Sequence, residues 1–183
     1  AAIDIGTNST RLLIARCSQD YVVPVYSALE TTRIGEGLGI TGFISPPALS
    51  RTLEALEGYM KKCREYGAVK LRIGATSAVR DAQNKGEVAQ KVYEHTGIEL
   101  EIFSGQKEAE LSFFGAAMDF APKDLSQQIM VLDIGGGSTE LIYSQGDNIQ
   151  FKSVNMGAVR LLENRELLAQ MPKILWDLMP KEE

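Results

Sequence analysis

The sequence predicts an α/β fold, a mixed sheet with flanking helices, begun twice within one chain. Three observations carry this. A strand, a glycine turn and a returning strand surround Asp133-Ile134-Gly135-Gly136-Gly137-Ser138-Thr139-Glu140, and the same device opens the chain at Ile3-Asp4-Ile5-Gly6-Thr7-Asn8-Ser9-Thr10. The acids ending the two first strands, Asp4 and Asp133, lie 129 residues apart, about the size of one small domain. After the first turn comes a three-strand meander, and then helix, strand, helix, strand and helix, an order that builds a sheet with helices packed on it.

In order, Arg11 to Cys17 reads as a second strand and Tyr21 to Glu30 as a third, joined by the polar turn Ser18-Gln19-Asp20. Pro24 removes a ladder donor, so the third strand is expected at an edge or bulged. Gly35, Gly37, Gly39 and Gly42 mark a loop, either a flexible connection or a cover over a ligand. Ser45-Pro46-Pro47 is a capping serine followed by first-turn prolines. Leu49, Leu53, Leu56, Met60 and Cys63 then form one apolar stripe until Gly67. Val69 to Ala75 is a strand, Ala78 to Ala82 a helical turn, Gly86 to His95 a helix with Val88 and Val92 inward, and Leu100 to Phe103 a strand. A helix starting near Ser104 carries Leu111, Phe114 and Met118 as its expected apolar stripe.

The second half is expected to begin at about Ile129, after the loop Phe120 to Asp124, with strands at 129–133, 139–144 and 148–154 and a hairpin at Gly146-Asp147. From Glu163 onward only amphipathic helix is legible, broken at Pro172 and ended near Pro180. The domain reading is therefore 1–124 as the first domain, 125–160 as the start of a second, and 161–183 as a helical tail. On this reading the second half stops short of the first and looks truncated.

A net charge of −5 argues against broad nucleic-acid binding, which works through clustered lysine and arginine. No apolar run approaches the roughly 20 residues that span a bilayer, and no leader pattern is visible, so the cytoplasm is expected and neither a membrane nor a nucleic-acid partner is. Cys17 and Cys63 lack metal-ligand spacing and are expected as buried thiols. His95, at a helix end, is expected to serve the helix terminus.

The glycine turns carry the chemistry. Consecutive glycines reach backbone conformations closed to other residues and let several amide N–H groups meet one anion. Ser138 and Thr139 in one turn, and Thr7, Asn8 and Ser9 in the other, add side-chain donors. The flanking acids cannot bind phosphate but can act on it through Mg²⁺ or a positioned water.

The paired turns resemble those of the actin, sugar kinase and Hsp70 superfamily. Further blocks resemble one branch of it, the exopolyphosphatase and guanosine pentaphosphate phosphohydrolase (Ppx/GppA) family: Arg33-Ile34-Gly35-Glu36-Gly37-Leu38, Ala75-Thr76-Ser77-Ala78-Val79-Arg80-Asp81-Ala82, Ser104-Gly105-Gln106-Lys107-Glu108-Ala109-Glu110-Leu111 and Asn155-Met156-Gly157-Ala158-Val159-Arg160. They fall in the family's order. The resemblance implies a ribonuclease H-like, actin-type ATPase fold, with two turns facing one another across a phosphate chain.

What the resemblance implies for single residues is as follows. Glu108 and Glu140 are catalytic, Glu108 as the base that activates water. Thr7, Asn8, Ser9, Arg11, Gly135, Gly136, Gly137, Ser138 and Thr139 bind substrate phosphate, and Asp4, Asp133 and Glu140 hold Mg²⁺, with Glu140 pointing across the cleft. Arg33 and Arg80 are secondary candidates for neutralising charge on the phosphate chain. Plainer roles stand beside all of these: a turn-capping Asp4, a solvated Arg11, a helix-start Glu108, and Arg33 and Arg80 paired locally with Glu36 and Asp81. The implied reaction is hydrolysis of a terminal phosphoanhydride of inorganic polyphosphate or guanosine pentaphosphate. An acceptor-dependent kinase and a non-catalytic nucleotide-binding scaffold of the same superfamily are the alternatives, and a homodimer is left open.

Overall fold

A computed structural model describes residues 1–18, 21–117, 130–145 and 148–178. The expected hairpin at Gly146-Asp147, the loop 120–124, Met118 and Pro180 lie outside the described residues. The chain divides into two compact units, Ala1–Ile102 and Phe103–Glu183.

The first unit contains β1 (Ala2–Ile5), β2 (Thr10–Cys17), β3 (Val22–Glu30), α1 (Leu38–Thr41), α2 (Pro46–Glu65), β4 (Arg72–Ala75), α3 (Ser77–Asp81), α4 (Lys85–Thr96) and β5 (Leu100–Ile102). Its sheet has the order β3-β2-β1-β4-β5. The first three strands pair antiparallel, and β4 joins β1 in parallel. Strand alternation places Ile3, Ile5, Leu12, Ile14, Ile73 and Ala75 on one buried face, against Leu49, Leu53, Leu56 and Cys63 of α2 and Val88 and Val92 of α4. Tyr59, rather than the expected Met60, completes the buried stripe, and its hydroxyl donates to the Thr10 carbonyl at 2.8 Å.

Ser45 caps α2, accepting from the Ala48 amide, and left-handed Gly67 follows its end. The β2–β3 register shifts between Ile14 and Ala15, opposite Pro24, and β3 is an edge strand, so the proline is both bulged and marginal. His95 Nδ1 lies 2.9 Å from the Lys91 carbonyl. Cys63 is buried, which raises its thiol pKa, but Cys17 is exposed because it ends β2 beyond the bulge.

The second unit contains α5 (Gly105–Ala117), β6 (Met130–Ile134), β7 (Thr139–Gln145), β8 (Asn148–Val154), α6 (Ala158–Glu163) and α7 (Arg165–Leu178). Its antiparallel sheet has the order β6-β7-β8. Helix α5 packs on all three of these strands, which is why the units part at Ile102/Phe103 and not near residue 124.

The face of α5 turned to this sheet differs from the expected stripe. Ala109 and Phe113 are buried, with Ile142 as their partner, while Leu111 and Phe114 are 42% and 58% exposed. The same face carries the half-buried Glu108 and Ser112. Pro172 stands inside α7 instead of breaking it; it is exposed, so water can satisfy the carbonyl that loses its amide partner. Among the described residues no helix is long and apolar enough to cross a membrane.

Candidate active site

Each unit carries one glycine turn at the end of its first strand, closed the same way. The Gly6 amide donates to the Ser9 carbonyl at 3.0 Å, and the Gly135 amide to the Ser138 carbonyl at 2.9 Å. Behind each turn a second segment is docked. In the first unit Gly35 and Arg33 donate their amides to the carbonyls of Thr7 and Asn8, at 3.0 and 2.9 Å. In the second unit Ala158 donates to Gly135 at 3.0 Å, Val159 to Gly136 at 2.8 Å, and Arg160 Nε to Gly137 at 2.8 Å.

This docking orients the amides. Among the described residues every peptide bond is trans, so a carbonyl and the N–H of its own peptide unit point in opposite directions. Carbonyls 135, 136 and 137 face the docked segment; the N–H groups of Gly136, Gly137 and Ser138 therefore face away from it, side by side. In the first unit the same reasoning turns out the N–H groups of Asn8 and Ser9. Such rows of amides bind anions. Contact between turn and clamp is close enough to require glycine: a Cβ on Gly157 would lie 2.4 Å from the Gly136 carbonyl carbon, and one on Gly35 2.4 Å from Thr7 Cγ2. The start of the expected glycine loop, at Gly35, thus backs the first turn, while residues 38–41 form α1.

Some expected donors are engaged elsewhere. The Thr139 hydroxyl donates to the Met156 carbonyl, and the buried Thr7 hydroxyl bonds Ser77 Oγ at 2.9 Å. Asn8 and Arg11 are exposed and Ser9 half-buried.

The strands leaving the turns differ in one pair. Asp4 lies opposite Arg11 in the first unit, and Asp133 opposite Glu140 in the second. The first pair is of opposite charge. The second sets two carboxylates side by side, at the roughly 5 Å typical of cross-strand Cβ atoms. Ser112 Oγ of α5 donates to Asp133 Oδ2 at 2.6 Å, and Ser153 Oγ of β8 to Glu140 Oε1 at 2.8 Å. Glu140 is only 1% exposed: it lies within its unit and does not project outward, because β7 is the central strand and α5 covers it.

Ser153, Glu140 and Asp133 form a row across three strands. Above one end of the row sits Gly105, whose Cβ would be 3.5 Å from Ser153; above the other sits Ser112. Glu108, between them at helical spacings of three and four, shares their face and is half-buried in the first turn of α5. Glu110 turns away to Lys107, 3.3 Å from its Nζ. Neither Ser112 nor Ser153 was recognised from sequence. Counting four residues on from Glu108, and matching the register opposite Glu140, would have found them.

Among the described residues no three His, Cys, Asp or Glu side chains form a metal cage. Asp133 and Glu140 supply two oxygen donors, and Mg²⁺ is commonly held by one or two carboxylates together with phosphate and water. Asp4 belongs to the other unit. Arg80 Nε lies 3.6 Å from Asp81, as the plainer reading of that pair expected. Glu36, however, is bonded by Arg51 at 2.7 Å, not by Arg33.

Comparison with known proteins places this architecture. The sequence profile described as the Ppx/GppA phosphatase family matches residues 13–171. The chain is 40% identical to a bifunctional 3-dehydroquinate synthase/phosphatase of Fusobacterium nucleatum over 171 residues, 89% of this chain and 26% of that protein. It is 36% identical to exopolyphosphatase 2 of Mycobacterium tuberculosis over 172 residues, 89% of this chain and 53% of that one. The crystal structure of an exopolyphosphatase-like protein superposes with a TM-score of 0.87 at 33% identity, covering 97% of this chain and 60% of that chain. The chain thus spans about a quarter to a half of these curated relatives, and its fold is the actin-type ATPase fold.

Proposed function

The chain belongs to the Ppx/GppA phosphatase family, and from that premise we propose that it provides the catalytic portion of a hydrolase acting on the terminal phosphoanhydride of inorganic polyphosphate. Guanosine pentaphosphate is the second substrate of this reading. The observation that carries it is the grouping of Glu108, Ser112, Asp133 and Glu140 in the unit whose glycine turn directs three amides, two of them on the buried residues Gly137 and Ser138, away from the segment docked behind it.

In this reading the terminal phosphate's oxygens take the N–H groups of Gly136, Gly137 and Ser138. Backbone donors suit a chain whose net charge is −5, because they bind a polyanion without attracting it from afar. Glu108 accepts a proton from a water whose oxygen attacks the terminal phosphorus; the anhydride bond breaks and the shortened chain leaves with the electron pair. Ser112 and Ser153 fix the carboxylates of Asp133 and Glu140 so that they meet water and cation in one geometry, and such positioning is most of what phosphoryl transfer requires. Half-buried Asp133 is the residue that would hold Mg²⁺ directly, with buried Glu140 behind it. The ion would supply neutralisation of charge on the phosphate oxygens.

The test is phosphate release from polyphosphate by the intact protein with Mg²⁺ and no acceptor. Release without an acceptor supports the hydrolase. Turnover only when an acceptor is added would mean a kinase, and tight binding without turnover would mean a scaffold.

A further inference from the structure

We propose that Arg33 is a phosphate-contact residue bordering the first glycine turn, one that sets affinity for the polyanionic chain. The proposal rests on the polyphosphate reading above. Arg33 has φ 49°, and among the described residues it is the sole non-glycine with positive φ. A side chain in the left-handed region is strained, and such strain persists where the surroundings impose it, often at functional sites.

Here the surroundings do impose it. The Arg33 amide bonds the Asn8 carbonyl at 2.9 Å, and its carbonyl accepts from the Glu36 amide at 3.0 Å. Thr32 Oγ1 meets Thr10 Oγ1 at 2.9 Å, and Arg51 ties both ends of the loop, donating to the Thr32 carbonyl at 2.9 Å and to Glu36 at 2.7 Å.

These duties fall on the backbone of residue 33, and glycine would perform them without strain. The arginine side chain is what the strain retains. It is exposed, and among the described residues no ion pair or hydrogen bond engages it; Arg51 has already taken the nearest acid along the loop.

The second unit offers the contrast. There the carbonyl of Gly137, which matches Asn8 at the 129-residue offset, is capped by the guanidinium of Arg160, so that arginine is consumed in supporting its turn. In the first unit an amide does this work, which leaves the Arg33 guanidinium for a ligand. Its planar fork of donors matches phosphate oxygens; Arg33 belongs to the segment docked behind the turn, so the proposal requires its long side chain to reach round the turn to the side that the Asn8 and Ser9 amides face.

The experiment uses the intact protein as wild type, Arg33→Gly and Arg33→Lys, measuring thermal midpoint, equilibrium binding of tripolyphosphate and steady-state KM and kcat on polyphosphate. Arg33→Gly is expected to keep or raise the midpoint while weakening tripolyphosphate binding about tenfold, the scale of a lost charged contact, with KM rising and kcat little changed. Arg33→Lys is expected to recover part of the affinity. An Arg33→Gly protein that binds tripolyphosphate as wild type does would overturn the proposal and leave the hydrolase reading intact. So would weaker binding accompanied by a lowered midpoint and no recovery in Arg33→Lys, since the residue would then be structural. A wild type that fails to bind tripolyphosphate would overturn both.

Discussion

Ser112 Oγ and Asp133 Oδ2 are 2.6 Å apart, a charged hydrogen bond that ties the second turn of α5 to the strand before the glycine turn. Bonds of this kind contribute about 1.5–3 kcal/mol. Ser112→Ala should therefore lower kcat on polyphosphate by about 10- to 100-fold, since a misplaced Asp133 no longer orients water, while tripolyphosphate affinity changes little. Unchanged kcat in a folded variant would make the bond incidental.

Glu108 and Glu110 separate cleanly. Glu108→Gln keeps the shape of the side chain but removes the base, and general-base contributions are about 10²–10⁴-fold in rate. Glu110 is engaged with Lys107 at 3.3 Å, a pair on the surface of α5 whose loss is worth little. Steady-state phosphate release from both variants checks this, and a large loss confined to Glu110→Gln would reverse the assignment.

Gly157→Ala tests the backing of the second turn. The added Cβ would lie 2.4–2.5 Å from Gly136 and Gly137 backbone atoms, which cannot yield as a flexible side chain would. Overpacking costs about 1–3 kcal/mol, and here the relief must move the amide row itself. Weaker phosphate binding together with a lower thermal midpoint is expected; wild-type binding would show that the amides do not need the clamp.

Tyr59 gives a pH dependence. Burial, followed by the charge of Glu30, raises its pKa from 10.0 to about 12. The folded state thus holds the phenol proton more tightly than the unfolded state. The resulting stability is fully present below pH 10 and is lost as pH rises through the folded value near 12. A shift of this size corresponds to about 2–3 kcal/mol. Tyr59→Phe should unfold more easily at neutral pH, because the Thr10 carbonyl loses its donor, and should show a flatter loss of stability across this alkaline window. Denaturant midpoints at several pH values measure it, and parallel curves for the two proteins would refute it.

The sequence by itself determined the parts whose causes are local. Glycine spacing marked both turns. Alternating Ile3, Ile5, Leu12 and Ile14 marked the first strands, the serine–proline start marked α2, and the position of Glu108 before Ala109 marked the proposed base. Even the 129-residue repeat is read directly, because a strand, a turn and a strand are set by neighbours a few residues away.

Only the tertiary structure decided which groups those parts meet. The apolar stripe expected on α5, through Leu111 and Phe114, is not the face it buries. Sheet packing selected the small and polar face instead, which brought Ser112 to Asp133 and left Glu110 outside. Strand register placed Ser153 against Glu140 and drew that carboxylate inward, where sequence had it project. Arg51, fifteen residues away, claimed the Glu36 that the plainer reading of Arg33 paired with it. Helix rotation, register and long-range pairing are settled by the summed burial of many side chains at once, so no single stretch of chain contains them.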